Sequence, residues 1–197
     1  IKLRYIGDVL LATPLLRSLK QAWPAARIDA LVFHGTQGVL TGNPDLHQVL
    51  TMAEHSGVTG NLALLMRLFR RYDLALSLVP SDRSTLCAWL ASRCSIGLLV
   101  DQTNQAWKKK LLHHWVPIDT VNVHTVRAHL ALASALGITP LAEVVTAWLP
   151  ADAAAVDALL GPSNAPFAVL HPYPKFRYKM WHEDGWIGLA QWFAGIG

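Results

Sequence analysis

Cysteine is nearly absent from this chain: Cys87 and Cys94 are the only two in 197 residues. They lie seven positions apart with no Cys-x-x-Cys pair. A disulfide framework is thereby excluded, and a reducing compartment, the cytoplasm, is expected. Both flank an apolar, helix-like run and read as buried structural thiols. Charge is also scarce, at 15% of residues against 52% hydrophobic, which excludes a disordered chain and provides for a packed core. The positive excess is only four. Apart from Lys108–Lys110 and Arg70-Arg71 the basic residues are scattered, so no nucleic-acid stripe is present and those clusters read as solvated faces. No run reaches the roughly 18 uninterrupted apolar residues of a membrane-crossing helix. No Asp-x-Asp or histidine cluster offers a divalent-metal site, and neither metal nor cofactor is expected. Repeats and low-complexity segments are missing too. The chain opens at Ile1-Lys2, in mid-motif and with no secretory leader, so several residues of a first strand are expected to precede it.

What the sequence does contain is organised around Arg4–Pro24. A short polar turn, Gly7-Asp8, leads into apolar residues at Leu11, Leu15, Leu16 and Leu19, a helical spacing. Gly7 permits close approach of backbone to a ligand. Asp8 stands where a helix begins and has two readings, an N-cap or a functional carboxylate. Pro24 stops the helix, and Arg27–Phe33 reads as a strand. Loop, helix and strand in this order are half of a nucleotide-binding α/β unit.

The pattern continues. Strands are expected at His47–Thr51, Asp73–Val79 and Ser95–Val100. Helices are expected at Leu62–Tyr72, with Leu62, Leu65, Met66 and Phe69 inward, and at Ser84–Arg93, capped from Ser81-Asp82. The near-continuous apolar strands imply a parallel, doubly wound sheet. Gln102–Pro117 reads as an irregular, exposed excursion. A helix from Asn122 to Leu136 ends at Gly137, with His124 and Arg127 as capping and surface residues. Pro150–Gly161 is a helix with a glycine stop, and residues 162–166 read as a linker between a first domain, 1–161, and a second beginning at 167.

A second constellation follows the linker. A strand, Phe167–His171, leads through a basic and aromatic loop into a helix, Trp181–Phe193. Lys175, Arg177 and Lys179 make a plausible phosphate cradle there, with His171 as a structural hydrogen bonder.

The wording of Ile1–Lys20 resembles the opening of the ADP-heptose:lipopolysaccharide heptosyltransferases (glycosyltransferase family 9). There a Gly-Asp-Val-Leu motif enters a Thr-Pro-containing helix, and its Asp is the proposed catalytic base. Their His-Pro-x-x-x-x-x-x-Lys-x-Trp pattern falls on His171, Pro172, Lys179 and Trp181. The resemblance is greatest to the type III branch, which adds a side-branch heptose. It implies a GT-B architecture of two Rossmann-like domains, the first nearly complete here and the second only begun, so that the fragment alone is expected to be inactive. It also implies inverting, metal-independent transfer of L-glycero-D-manno-heptose from ADP-heptose to the lipopolysaccharide core at the cytoplasmic face of the inner membrane. Asp8 would be the catalytic base and Lys179 would meet the donor phosphates, with Gly7, Lys175, Arg177 and His171 in support. Tyr173 and Pro174 depart from the small or hydroxyl residues of relatives, and His124 and Arg127 are three apart where relatives have four. No nucleic-acid or protein partner is expected. Two alternatives remain open: a non-catalytic sugar- or nucleotide-binding module, and a relative using another nucleotide sugar.

Overall fold

A computed structural model describes residues 1–55, 59–100, 105–161, 167–174 and 176–196. The chain falls into two compact units, Ile1–Pro150 and Ala151–Gly197. In the first, β1 (Asp29–Phe33) pairs in parallel with β2 (Gln48–Met52), while β3 (Tyr72–Ser77), β4 (Ser92–Leu99) and β5 (His114–Pro117) form a second parallel set. Ile1–Leu3 joins the two sets. Lys2 N–H donates to the Leu31 carbonyl at 2.9 Å, and Leu78 N–H donates to the Ile1 carbonyl at 3.0 Å. With Ile1–Leu3 counted as the first strand, the spatial order is the 3-2-1-4-5-6 of a doubly wound nucleotide-binding sheet. The ligand crevice of such a sheet opens at the carboxyl ends of the strands where the order reverses. Here that place lies between Ile1–Leu3 and β3, and the chain leaving Leu3 enters it directly.

The expected turn and single helix are instead two helices, α1 (Ile6–Leu10) and α2 (Thr13–Ala22). Gly7 and Asp8 are helical. The break has a local cause, because Pro14 lacks an N–H and the Thr13 hydroxyl takes over the junction. That hydroxyl donates to the Leu10 carbonyl at 2.8 Å and accepts from Val145 N–H at 3.0 Å. Leu15 and Leu19 of the expected face are buried, packed with Leu76, Leu98 and Leu132 on one side of the sheet. Leu31, Met52, Leu68 and Cys87 pack together in a separate core cluster. Burial pushes the Cys87 thiol up to about 11, as suits an inert structural cysteine. A cavity of about 800 Å³ lies between β1 and β3, against Ile1 and Lys2, with a largely aliphatic lining that includes Leu31, Leu50 and Leu74.

Three further expectations need correction in this unit. The helix expected over Leu62–Tyr72 is the shorter α3 (Leu62–Leu68), because Arg70 turns the chain at φ 50 and Tyr72 opens β3. Its inward residues are Leu64, Leu65 and Leu68, whereas Leu62, Met66 and Phe69 are exposed. Apolar residues occupy both stripes of this helix, so spacing alone could not choose between them. The next helix, α4 (Asp82–Ala91), is capped by the Ser81 hydroxyl as expected, but β4 begins at once after it. Lastly, residues 101–104 lie outside the described residues, and the rest of the expected excursion is regular. It forms α5 (Ala106–Leu111) and the parallel strand β5. Lys108 is accordingly buried rather than solvated. Its ammonium donates to the Pro80 carbonyl at 2.9 Å and sits 2.8 Å from Asp82, partners that a buried cation requires. Helix α6 (Thr125–Ala135) packs on α2 and closes at Gly137, where φ is 71.

Helix α7 (Pro150–Leu160) leads into the second unit and ends at Gly161, φ 71, as expected. The expected linker, 162–166, lies outside the described residues. Residues 167–171, expected to be a strand, pair with no strand among the described residues, because this unit offers none to complete a ladder. The last helix, α8 (Glu183–Ile196), begins two residues later than expected. His182 sets that start, its Nδ1 accepting from Gly185 N–H at 2.9 Å. Apolar side chains such as Val169 and Trp192 stay exposed in a unit with so little to pack against.

Candidate active site

Asp8 lies inside the first turn of α1. Tyr5 holds the N-cap position, and no side chain makes the cap bond there. The capping reading of Asp8 is therefore set aside. Its carboxylate instead faces Lys2, with Oδ1 3.7 Å from Nζ. The Lys2 side chain is only 8% exposed and that of Asp8 34% exposed, so the pair is sealed on the lysine side and open on the aspartate side.

Behind Lys2 stands His129, contributed by α6. Lys2 Nζ is 3.0 Å from His129 Nε2, and His129 Nδ1 is 3.0 Å from the Leu11 carbonyl. A carbonyl can only accept, so Nδ1 carries the proton and Nε2 accepts from the ammonium. Burial, then the positive charge of Lys2, holds His129 down to about 3, against the pull of the Leu11 and Leu78 carbonyls. The ring is neutral at pH 7. Burial also brings Lys2 down to about 8, opposed by Asp8 and assisted by Arg4, which leaves the ammonium intact at pH 7.

Neither Lys2 nor His129 stood out in the sequence as a site residue. One signal was available for His129. It falls on the stripe of α6 that also buries Ala128, Leu132 and Ala133, and a polar side chain buried there needs a partner. His124 and Arg127 take the modest roles expected of them: His124 Nδ1 accepts from Val126 N–H at the start of α6, and Arg127 is exposed. A Cβ built at Gly7 would meet nothing within 4 Å, so the glycine leaves open space above α1.

The second constellation lies in the second unit. Arg177 and Lys179 share one 3-10 turn, Arg177–Lys179, and both are exposed. The Lys179 ammonium is 5.6 Å from the Phe176 ring centre and 5.7 Å from that of Tyr178. Trp181 meets Trp186 edge-on at 5.4 Å, and His171 is exposed. Lys175 lies outside the described residues. Each constellation is thus assembled within its own unit. Among the described residues no group of three His, Cys, Asp or Glu is placed to hold a metal ion.

No family model matches the chain. Lipopolysaccharide heptosyltransferase 3 of Escherichia coli K12 is 28% identical over 194 residues, which cover 92% of this chain and 55% of the relative. The chain thus spans about half the length of the curated relatives it matches. Among solved structures, a family 9 glycosyl transferase from Veillonella parvula superposes with a TM-score of 0.82 at 17% identity, over 99% of this chain and 58% of that one. The E. coli heptosyltransferase WaaC with ADP-2-deoxy-2-fluoro heptose gives a TM-score of 0.73 at 20% identity, over 98% of this chain and 64% of that one. At such identities these likenesses show the fold. The chain resembles lipopolysaccharide heptosyltransferase 3 in sequence along nearly all its length, and it carries the α/β fold of the GT-B heptosyltransferase structures of glycosyltransferase family 9.

Proposed function

We propose that this chain is the acceptor-side domain and the start of the donor-side domain of a heptosyltransferase. It would transfer L-glycero-D-manno-heptose from ADP-heptose to the lipopolysaccharide core, at the cytoplasmic face of the inner membrane. The observation that carries the reading is Asp8, the Asp of the Gly-Asp-Val-Leu motif. It is a partly exposed carboxylate beside a buried cation, at the strand ends where a sheet of this order takes its ligands. The similarity to lipopolysaccharide heptosyltransferase 3, and a neighbouring fold solved with an ADP-heptose analogue, support the choice of donor. Peripheral attachment suits a membrane-embedded acceptor, and among the described residues no helix is long and apolar enough to cross a membrane.

In this reading the acceptor hydroxyl attacks the anomeric carbon, its proton passes to Asp8, and the bond to ADP breaks with inversion. Lys179 offsets the negative charge gathering on the departing diphosphate. The test is a transfer assay with ADP-heptose and lipopolysaccharide cores of defined length, using the protein that carries this chain. Transfer should occur, and Asp8→Asn should lower kcat by at least about a hundredfold. No transfer from ADP-heptose, or near-normal turnover by the Asn variant, would overturn the reading.

A further inference from the structure

We propose that Lys2 and His129 are positioning residues for Asp8: a neutral His129 accepts a hydrogen bond from the Lys2 ammonium and fixes it, and the fixed ammonium holds the Asp8 carboxylate for its work as a base. The inference rests on the reading of Asp8 as proton acceptor. It is carried by the geometry of three side chains brought together from distant parts of the chain. Lys2 sits on the first strand, paired with β1, Asp8 sits on α1, and His129 sits on the buried face of α6.

The direction of each hydrogen bond is determined by what its partner can do. Leu11 offers only a carbonyl, so His129 Nδ1 must donate to it at 3.0 Å. Nε2 then has a lone pair and no proton, and the group facing it at 3.0 Å is the Lys2 ammonium. A tautomer set by a backbone carbonyl thus decides that Lys2 donates here. With one N–H engaged, Lys2 cannot swing away, and Asp8 Oδ1 lies within its reach at 3.7 Å. Orientation of this kind matters to a base, since small displacements from the productive geometry lose large factors in rate. The charged groups around Lys2 are Asp8 and Arg4, and the titratable neighbour is His129.

The pair makes a forecast that a merely structural lysine would not. Lys2 loses its proton near pH 8, and above that pH Asp8 has no ammonium to hold it. In nitrogen NMR of the histidine-labelled protein that carries this chain, His129 should stay neutral with Nδ1 protonated down to about pH 5. Its Nε2 signal should nonetheless move through a step near pH 8, reporting Lys2, and Lys2→Met should abolish that step. A ring that titrates in the ordinary histidine range, or a step that survives Lys2→Met, would overturn the pair.

The kinetic half uses the protein that carries this chain. Lys2→Met should lower kcat about tenfold or more. The wild-type rate should decline above pH 8, and Lys2→Arg should move that decline upward because a guanidinium stays charged. If the decline is unmoved by Lys2→Arg, the positioning of Asp8 is overturned. Normal turnover by Asp8→Asn would overturn the base assignment itself, and the NMR step separates that failure from failure of the pair.

Discussion

Asp8 and Lys179 are named by the same resemblance, yet their surroundings differ. Asp8 faces a lysine that is 8% exposed and backed by a histidine that is 1% exposed. Lys179 stands exposed on a short turn, with two aromatic rings near its ammonium and no carboxylate pair among the described residues. The Asp8 corner is preorganised by the folded first unit, which brings Lys2, Asp8 and His129 together from separate elements. The Lys179 turn is local: its basic and aromatic residues are sequence neighbours. A substitution at the first place should therefore disturb fold and chemistry together, and one at the second should disturb ligand binding alone.

The largest effect expected from that difference is at His129. His129→Leu removes the acceptor and leaves a buried ammonium short of a partner, at roughly 3 kcal/mol. For a chain of this size that is a fall in melting temperature of about 6–12 °C. The double variant Lys2→Met/His129→Leu should recover much of the loss, since removing both polar partners from a buried pair is often nearly neutral. Thermal unfolding of the two variants measures this directly. A single variant as stable as the wild type would put both constellations on the same loose footing.

Acid should expose the same corner. The unfolded chain has His129 at its ordinary 6.5, and the folded chain holds it down to about 3. Between those values the unfolded state binds a proton that the folded state refuses, so this contribution is complete above 6.5 and is lost as pH falls through the window. At about 1.4 kcal/mol per unit, going from pH 6.5 to about pH 4.5 removes up to about 3 kcal/mol. Urea unfolding across this range should show the slope in wild type and little of it in His129→Gln. Equal slopes would place the acid sensitivity elsewhere.

Much of this was legible in the sequence. The alternation of strands and helices, the caps at Ser81, Gly137 and Gly161, and the placement of Asp8 at the strand ends all follow from local residue types. What stayed hidden was non-local. His129 is 127 positions from Lys2, and no spacing rule links them. The inward face of α3 was ambiguous because Leu64, Leu65 and Leu68 compete with Leu62, Met66 and Phe69 for one core. Lys108 looked solvated because a run of three lysines usually is, and its burial depends on Pro80 and Asp82 lying across from it. In each case local chemistry admitted two answers and a distant neighbour chose between them.

At the Lys179 turn the expected effect is smaller and confined to binding. Lys179→Ala removes an exposed side chain, so the melting temperature should move by less than about 1 °C, as surface substitutions away from special features usually do. Binding of ADP to the protein that carries this chain should weaken roughly tenfold or more, the loss expected of a charged hydrogen bond. Calorimetric titration with ADP separates the cases. Unchanged affinity would remove Lys179 from the donor site, and a large fall in melting temperature would show that the turn is structural after all.

The smallest effect is at Gly7, and it divides the site's two demands most finely. Gly7 lies within α1, and it is not among the residues with positive φ, so alanine can adopt its backbone without strain. A Cβ there would meet nothing within 4 Å, so the folded protein has room for it. Within a helix alanine is favoured over glycine by roughly 0.5–1 kcal/mol, so Gly7→Ala should raise the melting temperature by about 1–4 °C. If a substrate approaches the α1 backbone at this point, the same methyl group stands in its way. KM should then rise several-fold while the fold becomes slightly more stable, an opposition that loss of structure cannot produce. Unchanged KM in a stabilised variant would leave Gly7 as open surface and move the approach of the ligand elsewhere on α1.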